Sequence, residues 1–184
     1  MVRPTHLNVP PCPRGESSAD WTWLAGALEA AGVPVTEANP RLCASLGKLL
    51  AAQKGDVWAV TAGGRVLEVS AAEPELYMAA FDLGTTSIAG YLIHVNSRRV
   101  AVADGARNPQ ARYGGDVISR ADYALQNGVE DLSTCARTAI DEMLGRMCGR
   151  AGVPRERVFA VSLAGNTAMH HLFLGIAPDS LVNA

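Results

Sequence analysis

Seven consecutive residues, Phe81-Asp82-Leu83-Gly84-Thr85-Thr86-Ser87, place a carboxylate, a glycine and three hydroxyls between stretches of apolar, β-type sequence. An aspartate at a strand end can hold Mg2+ through water, as phosphoryl chemistry requires. Gly84 can adopt positive φ and has no Cβ to obstruct a phosphoryl oxygen. Successive backbone N–H groups of such a turn can form an anion-binding nest, to which the Thr85, Thr86 and Ser87 hydroxyls add donors. The segment is not a P-loop: no GxxxxGK[ST] occurs in the chain, and a strand rather than a helix follows the turn. The same residues also suit an ordinary β-hairpin with a polar turn, and pattern alone leaves both readings open.

Other segments carry weaker chemistry. Ala164-Gly165-Asn166-Thr167 follows a short apolar strand and opens a helix, so its N–H groups can face an anion, or Asn166 or Thr167 can simply cap the helix. Asn108-Pro109-Gln110 and Gly114-Gly115-Asp116 lie where strands hand over to helices, a place from which a loop can reach a cleft or a protein partner. Equally, Pro109 and the glycines can shape a turn while Asp116 caps a helix. Arg120, one turn into that helix, reads as a surface or ion-pair residue rather than a phosphate clamp. His170 and His171 are adjacent on a helix and diverge by roughly 100°, which disfavours a shared metal. Cys12, Cys43, Cys135 and Cys148 form no CxxC. Cys135 and Cys148 fall on one expected helix about 20 Å apart, so all four cysteines read as reduced packing residues.

The elements that must position these residues follow from periodicity. Residues 1–19, rich in Pro, Gly and Ser, read as an extended arm. Residues 20–76 read as a small α+β module: a helix over 20–31 with Ser18 or Asp20 as cap, a helix over 41–53, and strands over 56–61 and 65–69 around a glycine turn, with Trp21, Trp23 and Trp58 as packing anchors. From residue 77 the expected order is βββααβα: strands 78–82, 86–95 and 99–105, helices 116–126 and 130–150, a strand 158–163 and a helix 166–174. The fold class is therefore α/β.

Composition narrows the function. The chain has 184 residues, 48% hydrophobic and 18% charged, with 16 Lys+Arg against 18 Asp+Glu and a net charge of −2. No basic stripe marks a nucleic acid or anionic membrane as partner. The apolar runs fall short of the roughly 20 residues a transmembrane helix needs, and no signal-peptide core is evident, so a cytoplasmic location is expected.

FDLGTTSIAGYLIHV resembles the first phosphate-binding motif of the actin, sugar kinase and heat-shock ATPase (ASKHA) superfamily, whose lobes have a ribonuclease H-like fold. ARNPQARYGGDVISRADYA at 106–124 and SLAGNTAMHHLFLGIAPDSL at 162–181 resemble the ATP-dependent reductive activators of corrinoid proteins. The LNVPPCP arm and the small α+β module resemble that family's linker and middle domain. The resemblance implies ATP and Mg2+ as cofactors, with Asp82 organising the metal and Gly84, Thr85, Thr86 and Ser87 cradling phosphates. It places Gly165, Asn166 and Thr167 on the nucleotide cleft, and Asn108, Gln110, Gly115 and Asp116 on a partner or interlobe loop. Where relatives often have Gly-Ala-Asp, this chain has Gly114-Gly115-Asp116.

The family's activity is to return Co(II) corrinoid proteins to Co(I), which makes a corrinoid protein the implied partner and leaves the electron donor unidentified. Its two-iron ferredoxin domain and second ATPase lobe have no counterpart in these 184 residues, so the chain is expected to be a fragment, inactive alone and without a cluster. A small-molecule kinase of the same superfamily, or a non-catalytic docking or homodimerisation module, are the alternatives.

Overall fold

The computed structural model describes residues 2–11 and 19–179. The chain divides into two compact units, Met1–Pro74 and Glu75–Ala184.

In the first unit, helical spacing of Trp21, Leu24 and Leu28 produces α1 (Asp20–Ala30), and Pro40 at the first turn with Asn39 as cap starts α2 (Pro40–Gln53). The four strands are β1 (Arg3–Asn8), β2 (Glu37–Ala38), β3 (Asp56–Ala62) and β4 (Arg65–Ser70), in the sheet order β1-β3-β4-β2. Gly63 and Gly64, both at positive φ, close the β3–β4 hairpin. Leu24, Leu28 and Leu46 pack with Val57, Ala59 and Val66 to form the core, and Trp21 and Trp23 lie against it. Trp58 stacks on His6 with ring centroids 4.9 Å apart.

Three expectations change here. Part of the stretch read as an arm is strand β1, paired antiparallel with β3 from Arg3 opposite Thr61 to Asn8 opposite Asp56. Proline content misled: β1 lies at a sheet edge, where a residue without N–H is tolerated, while Leu7 and Val9 supply buried contacts. The cap of α1 is Ala19, without a side-chain hydrogen bond, and Asp20 is already helical; Ser18 lies outside the described residues, as does Cys12. Cys43 is exposed, whereas Cys135 and Cys148 are buried.

The second unit follows the expected order. Strands β5 (Tyr77–Leu83), β6 (Ser87–His94) and β7 (Arg99–Arg107) form an antiparallel meander, helices α3 (Val117–Asn127) and α4 (Glu130–Ala151) follow, and β8 (Val158–Gly165) pairs parallel with β5 before α5 (Thr167–Leu174). The sheet order is β7-β6-β5-β8. A 3-10 turn over Pro109–Arg112, absent from the sequence reading, sits between β7 and α3. Phe81, Leu83, Ile88 and Leu92 of the sheet meet Leu132, Met143 and Met147 of α4 and Met169 and Leu172 of α5 in one core. Gly90 permits that contact: a Cβ there would stand 2.7 Å from the Met143 sulfur and 2.9 Å from the Phe81 ring.

Candidate functional site

Three loops meet at one end of the second sheet. Because β8 runs parallel to β5, with Asp82 opposite Ala164 and Leu83 opposite Gly165, the 84–86 turn and the 165–166 turn leave the sheet side by side. Ser87 at the start of β6 stands opposite Arg107 at the end of β7, which brings in the loop that begins at Asn108.

The 84–86 turn is held by its carbonyls. Gly84 O accepts from Asn108 Nδ2 at 2.8 Å, Thr85 O from Arg120 Nη2 at 2.7 Å, and Thr86 O from the Asn108 N–H at 2.9 Å. In a planar trans peptide the N–H points opposite to the carbonyl. Fixing the Gly84 and Thr85 carbonyls inward therefore turns the Thr85 and Thr86 N–H groups outward, where neither has an acceptor among the described residues. Beside them the Asp82 carboxylate is exposed and without a hydrogen-bond partner among the described residues. Two outward amides, the exposed Thr86 and Ser87 and an adjacent free carboxylate can receive an anion together with a hydrated cation.

Gly84 is required for a reason other than the expected one. Its φ is not positive. Its N–H donates to Ser87 O at 2.9 Å, and a Cβ would stand 2.8 Å from that same oxygen.

Asn108 and Gln110, assigned to a partner-reaching loop, are instead buried. Asn108 is 1% exposed and Gln110 0%. Asn108 Oδ1 accepts from the Gln110 N–H at 3.0 Å, and Gln110 Nε2 donates to Leu132 O at 3.0 Å. Buried amides spend their hydrogen bonds internally, so Asn108 holds the turn, Gln110 holds Asn108, and neither side chain faces a partner. Gly115 and Asp116 are exposed, but Asp116 caps α3: Oδ1 accepts from Ser119 N–H at 2.9 Å and Oδ2 from Ser119 Oγ at 3.0 Å. The Ser119 N–H is the main reason the Asp116 carboxyl sits below its ordinary range.

Gly165, Asn166 and Thr167 are exposed next to the turn. Asn166 caps α5 by accepting from Met169 N–H at 2.9 Å, and a Cβ on Gly165 would stand 3.0 Å from Leu83 O. His170 and His171 share an open hollow with Gly165 and Thr167; among the described residues no three His, Cys, Asp or Glu side chains gather as a metal site.

Sequence reasoning also placed Arg120 wrongly, on the surface, whereas it is fully buried. The signal was present: at helical spacing, position 120 shares the inner face of α3 with Ala121 and Ala124. Hydrophobicity alone assigned that face to its apolar members.

The fold and site define an α/β lobe with a strand-turn-strand suited to an anion at the end of its sheet. The chain belongs to the RACo middle region family, whose model matches residues 77–184. It is 33% identical over 128 residues to the corrinoid activation enzyme RamQ of Eubacterium limosum, a stretch covering 66% of this chain and 21% of RamQ. Among solved structures, a reductive activator for corrinoid, iron-sulfur protein superposes with a TM-score of 0.85 at 26% identity, over 96% of this chain and 30% of the activator. The chain thus spans under a third of the length of either protein.

Proposed function

We propose that the second unit is the phosphate-binding part of an ATP-dependent activator that returns Co(II) corrinoid proteins to Co(I). The observation that carries this reading is the peptide orientation of the 84–86 turn, which leaves two amides outward beside the free Asp82 carboxylate. In this reading the Thr85 and Thr86 N–H groups and the Thr86 and Ser87 hydroxyls hold the β- and γ-phosphates of ATP. Asp82 holds the water shell of Mg2+, which when bound neutralises phosphate charge. Gly165 and Thr167 border the nucleotide, with Asn166 fixing the start of α5.

Binding alone reduces nothing. The lobe contributes a surface whose occupancy can be coupled to a conformational state of the whole protein, and the electron is delivered from a group outside the described residues. The site is tested by calorimetry on the intact protein: Asp82→Asn is expected to abolish the Mg2+ dependence of ATP binding while the chain stays folded. Identical ATP affinity and Mg2+ dependence in the variant would remove Asp82 from the site, and absence of ATP binding in the parent protein would remove the reading itself.

A further inference from the structure

Arg120 is 0% exposed, and among the described residues it pairs with no carboxylate. Its guanidinium meets neutral groups: Nε donates to Gly114 O at 2.9 Å and Nη2 to Thr85 O at 2.7 Å, while Nη1 lies 3.5 Å from Gln110 Oε1 and 3.6 Å from Met169 Sδ. The ionisable neighbours balance it only in part. Asp116, its oxygens hydrogen-bonded to Ser119, attracts the guanidinium without touching it, and burial pushes the Cys135 thiol up, which keeps it neutral. A guanidinium stays protonated even though burial lowers its pKa. A buried cation contacted only by neutral groups is costly unless an opposite charge comes close to it.

We propose that Arg120 is the positioning residue of the phosphate site, fixing the Thr85 peptide with its carbonyl inward and supplying, directly behind the turn, the positive charge that a bound phosphate balances. The link is short. Thr85 O is bonded to Arg120, and the next N–H along the chain, that of Thr86, is one of the two outward donors. Gly114 belongs to the same device: a Cβ there would stand 2.7 Å from the Arg120 backbone nitrogen and 2.8 Å from Ser119, so only glycine lets the loop close over the start of α3. Lysine cannot reproduce the arrangement, since its single ammonium lacks the planar fork that reaches two carbonyls in different loops.

The inference rests on the turn being the phosphate site, and the experiment separates the two. ATP, ADP and adenosine are titrated calorimetrically into the intact protein and its Arg120→Gln and Arg120→Lys variants at fixed ionic strength. Amide exchange over residues 83–90 is followed without nucleotide. Arg120→Gln is expected to weaken ATP at least tenfold, leave adenosine within twofold and speed exchange in the turn, with Arg120→Lys intermediate. Unchanged ATP affinity in a folded Gln variant overturns the proposal while leaving the phosphate site intact. Equal losses for ATP and adenosine overturn it too, because they mark general disruption rather than a role toward phosphate. If Arg120→Gln does not fold, Arg120→Lys decides: a threefold or larger loss confined to the phosphorylated ligands supports the proposal, and unchanged affinity ends it. A parent protein that binds no ATP overturns the phosphate reading and this inference with it.

Discussion

Replacing Asn108 by aspartate changes one buried atom of the turn clamp and reverses its role. In the wild-type chain Nδ2 donates to Gly84 O at 2.8 Å and Oδ1 accepts from Gln110 N–H at 3.0 Å, in a side chain 1% exposed. Asn108→Asp keeps the Oδ1 acceptor but sets an oxygen against the Gly84 oxygen. The lost hydrogen bond costs about 1 kcal/mol and the unsatisfied buried carbonyl about 1–3 kcal/mol more. The Arg120 guanidinium, which shares Gln110 Oε1 and Met169 Sδ with the Asn108 side chain, offsets part of the cost of burying the new charge but cannot restore the donor that Gly84 O loses.

Far-UV circular dichroism in urea at pH 7 measures the loss. Trp fluorescence serves as a control, because Trp21, Trp23 and Trp58 all lie in the first unit. A variant as stable as wild type at pH 7 would refute the clamp.

Two further outcomes test the second unit. Gly90→Ala pushes a methyl to within 2.7 Å of the Met143 sulfur and 2.9 Å of the Phe81 ring; an overpacking loss of about 1–3 kcal/mol is expected in the same urea titration, and an unchanged midpoint would show that the contact yields. The Asp104 carboxyl is held below its usual range by the Gly105 N–H and by Arg146, whose Nε lies 3.0 Å from Oδ2. Its contribution is thus present above the unfolded pKa of about 3.9 and lost as pH falls through the lower folded value. Asp104→Asn should make stability fall less steeply in acid than wild type, and an unaltered pH profile between 5 and 2 would count against that interaction.

Local patterns carried the second unit well. The spacing of Leu132, Ala136, Ile140 and Met143 marks α4 as helical, and Gly152 at positive φ ends it. Asp116 and Asn166 announce their helices because a short acceptor side chain can satisfy a first-turn N–H only at that position. Such information lies within a few residues and needs no tertiary partner. Strand β1 was illegible because its pairing partner lies about fifty residues away, and two-residue β2 exists only by pairing with β4.

The sequence by itself determined the helices and the longer strands from residue 20 onward, though not two-residue β2, and that Asp82, Gly84 and the hydroxyls beside them occupy a turn between two strands. Tertiary structure alone decided what that turn can do. The parallel addition of β8 to β5 set Gly165 beside Leu83, and the burial of Asn108, Gln110 and Arg120 locked the turn's carbonyls inward so that its amides face out. Nothing in the residue types near Gly84 specifies that orientation, because the groups that impose it arrive from 24 and 35 residues away along the chain. A polar side chain declares its chemistry in the sequence, but whether it meets solvent or a carbonyl depends on which surfaces the fold brings together.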